Sequence, residues 1–173
     1  VLSFDMGGTT AKGALIRDRV PLRKYDLEVA RVHAFKKGSG LPLKIPVIDM
    51  IEIGAGGGGI AVVDRRGVIR LGPRSAGADP GPACYDRDGR DATLTDANLI
   101  LGYLDPAFFL GGKMRLDPAR AKDAVQSAIA QELHLPVARA AWGIHETANE
   151  DVARAFRVHA AERGFDYGGC SMI

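Results

Sequence analysis

Asp5, Gly7, Gly8, Thr9, Thr10 and Lys12 are gathered in one short segment, Phe4-Asp5-Met6-Gly7-Gly8-Thr9-Thr10-Ala11-Lys12. These are the residue types that a phosphate-and-magnesium site needs at the tip of a strand. Glycines let backbone N–H groups approach an anion closely. A carboxylate such as Asp5 can hold hydrated Mg²⁺ directly or through water, and the hydroxyls of Thr9 and Thr10 can donate to phosphate oxygens. Lys12 can neutralise phosphate charge if its side chain turns inward, but on a strand it can equally face solvent. The plainer alternative for Asp5 is a residue that caps its own turn. A Walker A loop is excluded by spacing, because the four-residue gap before Gly-Lys-Ser/Thr is missing and a strand, not a helix, is predicted to follow.

Four other places have chemistry-bearing residues. Gly54-Ala55-Gly56-Gly57-Gly58-Gly59 formally contains a dinucleotide-binding GxGxxG. However, the β-branched Ile60-Ala61-Val62-Val63 follows where that fingerprint requires a helix, and the nominal acidic partner, Asp79, sits in a Pro/Gly-rich loop. Such a run is entropically costly unless something comes close to its backbone, and a flexible linker is the bland alternative. Asp49 and Glu52 are three apart, which puts them on opposite faces of a strand and speaks against a paired-carboxylate mechanism. Cys84 has no His nearby in sequence to lower its pKa, so a buried structural thiol is favoured over a nucleophile. Thr95-Asp96-Ala97-Asn98 is predicted to be a helix N-terminus capped by Thr95 or Asp96, and a capped N-terminus is itself a place for an anion.

The elements that must position these groups are β in the first half and helical in the second, an α/β or α+β pattern. Strands are predicted at 1–5 and 11–17, joined by the glycine turn, and at 26–33. A hairpin follows at 60–63 and 68–71 around Asp64-Arg65-Arg66-Gly67. Lys36 to Gly40 with Pro42 and Pro46 is expected to be a loop, and 72–89 a long Pro/Gly-rich one. Asp117 caps a helix with Pro118 in its first position and an apolar stripe of Ala121, Ala124, Val125, Ala128, Ile129 and Leu133. A second helix is predicted at 137–163, with Ala141, Ile144, Ala148, Val152, Ala155 and Phe156 on one face and Gly164 as its stop. His145 and His159 continue that stripe and suit core positions better than metal ligation.

Composition narrows the class. The chain has 173 residues, a net charge of +2 and 46% hydrophobic residues, enough for one core of ordinary size. No Lys/Arg cluster with interleaved aromatics supports a nucleic-acid partner, and no apolar run approaches the roughly 20 residues of a membrane span. Cys84 and Cys170 are far apart without CxxC spacing, which fits a reducing cytoplasm better than a disulfide framework or a zinc site. There is no initiator Met or signal-peptide pattern, and the first residue already falls in a predicted strand, so the chain is expected to be incomplete.

The strand-turn-strand setting of Asp5-x-Gly7-Gly8-Thr9 suggests a phosphate hairpin of the kind found in sugar kinases, actin and related ATPases. Together with Glu52-Ile53-Gly54-Ala55-Gly56-Gly57-Gly58, Ser75-Ala76-Gly77-Ala78-Asp79-Pro80-Gly81-Pro82-Ala83-Cys84-Tyr85 and Thr95-Asp96-Ala97-Asn98, it stands in the order and spacing of the hydantoinase A/oxoprolinase family. The chain resembles that family from its first residue to about Asp166.

The resemblance implies an α/β acetate kinase/sugar kinase/actin-like (ribonuclease H-like) ATPase fold, present in part, with a mixed sheet and C-terminal helices. It implies ATP and Mg²⁺ as cofactors and ATP-dependent opening of cyclic amides such as hydantoins or 5-oxoproline, or, in related subunits, ATP-dependent carboxylation of ketones such as acetone. A hydantoinase B-like partner subunit belongs to that expectation. Residues 1–173 are expected to form one partial domain, the second half of the ATPase core. A first domain with its own Asp-x-Gly-Gly-Thr motif and a later adenosine-binding element would lie outside it. The implied catalytic residues are Asp5, which also serves the metal, Glu52 and Asp96. The implied nucleotide contacts are Gly7, Gly8, Thr9, Thr10, Lys12, Gly56, Gly57, Gly58 and Asn98. Gly59 departs from the family, whose members commonly have Ser there. A non-catalytic interaction module is the contrasting reading, since the alanine-rich helix stripes suit a core or a partner surface alike.

Overall fold

The computed structural model describes residues 1–30, 32–33 and 38–173. Its strands are β1 (Leu2–Met6), β2 (Ala11–Arg17), β3 (Val20–Pro21), β4 (Arg23–Lys24), β5 (Leu27–Val29), β6 (Leu41–Leu43), β7 (Val47–Ile48), β8 (Met50–Ile53), β9 (Gly59–Val63) and β10 (Ile69–Ser75), followed by helices α1 (Leu94–Ile100), α2 (Pro118–Val125) and α3 (Val137–Ala161). Length alone suggests one core, whereas the contacts divide the chain into two compact units.

The first unit comprises Val1–Asp5, Lys12–Ile51 and Phe156–Ile173. Its sheet runs β1-β2-β3, with β8 also paired to β2. The C-terminal segment lies parallel on β1 through a bridge between Leu2 and Met172, while β2 and β3 pair antiparallel, so both strand directions occur. Asp18 and Arg19, both left-handed at φ 52° and 66°, form the two-residue turn whose twist matches a hairpin. Gly13, Ala14 and Leu15 are buried on β2, and Phe4 meets Phe156 edge-on at 5.9 Å between ring centres. Small antiparallel ribbons, β4 with β7 and β5 with β6, complete the unit.

The second unit comprises Met6–Ala11 and Glu52–Ala155. Its β9–β10 hairpin turns at Asp64, whose Oδ1 accepts the N–H groups of Arg66 and Val68 at 2.9 and 3.1 Å, and Gly67 supplies the left-handed residue at φ 74°. The core is built on small side chains, with Ala61, Ala97, Val125, Ile129, Ala140, Ala141 and Ile144 all buried in one cluster. Alanine at these places lets helices and hairpin approach closely.

Asp117 caps α2, accepting from the N–H groups of Ala119 and Arg120, with Pro118 in the first turn. α2 continues into one π-helical stretch, Gln126–Ala130. α3 ends at Ala161, two residues short of the expected 163, and Gly164, left-handed at φ 57°, lies in the turn beyond it.

Several boundaries differ from expectation. Among the described residues of the 26–33 strand only Leu27–Val29 is extended, and residue 31 lies outside the described residues. Residues 36 and 37 of the expected loop also lie outside them, while Pro42 belongs to the edge ribbon β6. The segment 72–89 is shorter as a loop than its composition implies. β10 runs through Pro73 to Ser75 across an irregularity in its register with β9, and Ala83–Tyr85 forms a 3₁₀ turn.

Candidate phosphate-binding site

The turn between β1 and β2 is closed by the Gly7 N–H, which donates to the Thr10 carbonyl at 2.9 Å. A second glycine segment lies along it. Gly57 N–H donates to the Gly7 carbonyl at 2.9 Å, and Gly58 N–H to the Gly8 carbonyl at 2.7 Å. Peptide planarity then fixes where the neighbouring amides point, because the C=O and N–H of one trans peptide are oppositely directed. With both carbonyls drawn toward Gly57 and Gly58, the N–H groups of Gly8 and Thr9 face the other way. Both residues are exposed, and neither amide donates to an acceptor among the described residues. Two successive outward amides form an anion-binding concavity, with the hydroxyls of Thr9 and Thr10 beside them.

The run at 54–59 is small because the hairpin comes close to it. A Cβ on Gly56 would lie 2.5 to 2.6 Å from backbone atoms of Gly8 and Thr9, and one on Gly58 would lie 2.9 Å from Ser75 Oγ and 3.0 Å from the Gly8 carbonyl. A Cβ on Gly8 would meet nothing within 4 Å. The close approach expected of a ligand at this run is therefore made by the protein's own backbone, and the Gly57 and Gly58 amides are engaged there. β9 begins at Gly59, so a strand follows the run and the dinucleotide fingerprint is absent.

α1 abuts the same run. Thr95 directs two donors at one acceptor, its N–H and its Oγ1–H both reaching the Gly57 carbonyl at 2.9 Å. The cap of α1 is Thr93, not Thr95 or Asp96. Thr93 Oγ1 accepts the Asp96 N–H at 3.3 Å, and Asp96 Oδ2 accepts the Thr93 N–H at 2.9 Å and its hydroxyl at 2.7 Å. The reciprocal pair is a capping box. Asp96 Oδ1 accepts the Cys84 N–H at 2.8 Å, so this wholly buried carboxylate ties α1 to the 3₁₀ turn. The open anion site expected at the helix terminus is occupied by the chain's own Gly57 carbonyl.

Cys84 is wholly buried. Burial, reinforced by the Asp96 carboxylate, pushes its thiol well above the ordinary value, so it behaves as packing and not as a nucleophile. Asn98 Oδ1 lies 2.9 Å from His145 Nδ1, and the His145 ring stacks on Tyr103 at 4.9 Å. His145 is thus a partnered half-buried residue, in keeping with its expected structural place.

Of the remaining expected residues, Asp5 is exposed near the end of β1, Lys12 is half-buried on β2, and Glu52 is exposed on β8. Asp49 is buried, opposite in burial to Glu52, and forms a bidentate pair with Arg163, whose Nη2 reaches Asp49 Oδ1 at 3.0 Å. No three His, Cys, Asp or Glu side chains gather as a metal cage among the described residues. Mg²⁺ is commonly held by one or two carboxylates together with phosphate and water, and Asp5 is one exposed carboxylate of that kind. Thr93 and Thr95 were not singled out in their present roles. The Thr93-x-x-Asp96 spacing is a capping-box signature, whereas nothing in the sequence pairs Thr95 with Gly57.

Solved structures define the class of protein. The chain superposes on nucleotide-free acetone carboxylase, described as catalysing ATP-dependent acetone carboxylation, with a TM-score of 0.82 and 31% identity over 99% of this chain and 23% of that one. On the ATP-dependent caprolactamase of Pseudomonas jessenii the TM-score is 0.80 with 40% identity, over 96% of this chain and 23% of that one. The fold is accordingly the actin-like ATPase type. The hydantoinase/oxoprolinase family model matches residues 1–173, and the chain belongs to that family. A Methanocaldococcus jannaschii protein is 46% identical over 169 residues, 96% of this chain and 25% of its own length. The chain thus spans about a quarter of the length of the relatives named here.

Proposed function

We propose that this chain carries the second phosphate hairpin of an ATP-dependent enzyme subunit that opens cyclic amides of the hydantoin or 5-oxoproline type. The observation that carries this reading is the pair of outward Gly8 and Thr9 amides, held in place from behind by Gly57 and Gly58. Gly7, Gly8, Thr9 and Thr10 would cradle the β- and γ-phosphates, with Lys12 neutralising charge. Asp5 would hold Mg²⁺ through water or act as a catalytic carboxylate, and Glu52 would offer a second carboxylate on β8. Asp96 is assigned to positioning, since both its oxygens are engaged. Gly56 to Gly58 brace the hairpin, and Asn98, whose Oδ1 meets His145, would offer its Nδ2–H to the nucleotide.

The proposed chemistry is activation by phosphoryl transfer. The lactam oxygen takes the γ-phosphoryl group as ADP leaves, and one water adds to the activated carbon. The ring C–N bond then breaks with the nitrogen leaving as the protonated amine, and a second water hydrolyses the resulting acyl phosphate to carboxylate and phosphate. The protein contributes positioning and charge neutralisation. The proposed partner is a hydantoinase B-like subunit, in line with the caprolactamase relative being a subunit alpha, and the proposed setting is the cytoplasm, where Cys84 and Cys170 would stay unpaired.

Ketone carboxylation is the second reading, favoured by the superposition on acetone carboxylase. A purely structural module is disfavoured, because the alanine faces of α2 and α3 lie inside the core of their own unit. The test uses the full-length subunit with its companion. Lactam turnover should require ATP, and Asp5→Ala should abolish ATP turnover while folding and assembly are retained. Equal turnover with and without ATP would sink the proposal, and unchanged turnover in the Asp5 variant would remove that residue from the mechanism.

A further inference from the structure

We infer that Thr95 is a positioning residue for phosphoryl transfer, acting through two peptide planes to aim the Thr9 amide. This rests on the phosphate-binding role proposed for the hairpin. The Gly57 carbonyl and the Gly58 N–H belong to one trans peptide, so a pull on one face orients the other. Thr95 grips that carbonyl with two donors at 2.9 Å, and on the opposite side the Gly58 N–H grips the Gly8 carbonyl at 2.7 Å. The Gly8 carbonyl in turn shares its plane with the Thr9 N–H, one of the two amides left facing outward. Hydrogen bonds in such a chain polarise one another, so the second donor on Gly57 both orients and strengthens the remote amide.

Thr95 is held for this task. It is 7% exposed and lies two residues beyond the Thr93 cap, on a helix that Asp96 fastens to the Cys84 turn. Gly57 is correspondingly restricted, since a Cβ there would lie 2.9 Å from Thr95 Oγ1. The hydroxyl touches no proposed ligand. Its removal leaves the Thr95 N–H on Gly57 and therefore loosens the plane without dismantling the turn.

The experiment compares Thr95→Val, which keeps the shape without the hydroxyl, with Thr95→Ser, which keeps the hydroxyl, in the full-length subunit with its companion. Thr95→Ala carries the same prediction if the Val variant does not assemble. The expected result is a fall in kcat for ATP turnover of about tenfold to a hundredfold in the Val variant, with a smaller change in KM, an unchanged melting transition and recovery in the Ser variant. Hydrogen exchange on nucleotide-free protein should quicken for the Gly57 and Gly58 amides in the Val variant alone. Unchanged exchange, unchanged kcat, or a Ser variant as impaired as the Val one overturns the inference. If the parent enzyme proves independent of ATP, the phosphate reading fails and the positioning role falls with it, while quickened exchange would still identify the brace as structural.

Discussion

Gly8 and Gly56 are the same residue type under opposite demands, and their replacement by alanine separates the two. At Gly56 the new methyl would fall within 2.6 Å of backbone atoms of Gly8 and Thr9, where no flexible side-chain end can yield. Gly56→Ala should therefore destabilise the protein by about 1–3 kcal/mol, the usual range for overpacking, and lower its melting temperature. At Gly8 the methyl would enter open space, so Gly8→Ala should melt with the parent. If the Gly8 amide contacts phosphate, the same methyl would hinder the approach and raise KM for ATP about tenfold, equivalent to about 1.4 kcal/mol. A Gly8 variant with the parent's KM would remove that amide from nucleotide binding. The sequence shows that both glycine segments need close approach, because glycine is otherwise costly. It does not show whether ligand or backbone makes the approach, since both demand the same missing side chain.

At the scale of elements, strand alternation and helix punctuation were legible wherever the signal is local. β2 falls at the expected residues, the β9–β10 turn uses the expected Asp64 and Gly67, and α2 starts at the Asp117-Pro118 pair. The cap of α1 lies two or three residues before the expected Thr95 or Asp96 because Thr93, Thr95 and Asp96 are all good caps, and the choice among them is made by distant partners. Thr95 is drawn to Gly57 and Asp96 to Cys84, which leaves Thr93 as cap. Thr93→Ala should cost about 1 kcal/mol, typical of a lost N-cap. Asp96→Asn should cost more, about 1–3 kcal/mol, because an amide nitrogen in place of one oxygen would face N–H or O–H donors in a buried site. Urea unfolding of both variants checks the order. An Asn variant as stable as the parent would mean that the carboxylate is not what fastens α1 to the Cys84 turn.

At the scale of the whole molecule, acidity should act through one buried cluster that no short-range pattern announces. Asp49 and Arg163 pair across 114 positions of sequence, and spacing around Asp49 indicated only that it does not work with Glu52. The Arg163 hydrogen bonds hold the Asp49 carboxyl below its ordinary 3.8, helped by the charges of His159 and Lys24. Burial, with Arg163 adding to it, holds the His159 ring below its ordinary 6.5, against the opposing pull of Asp49 and Glu162. His159 is 4% exposed, and its Nε2 has no hydrogen-bond partner among the described residues. Both shifts act in the same direction. The unfolded chain binds a proton at His159 below about pH 6.5 while the folded ring resists it, so stability falls as pH drops from there until the folded ring also titrates. Asp49 contributes stability that is present above 3.8 and is lost as pH falls through its lowered folded value. Thermal melting measured from pH 8 to pH 3 should therefore decline in two limbs. A His159→Gln variant should flatten the upper limb and leave the lower one in place, whereas persistence of the upper limb in that variant would assign it to another group.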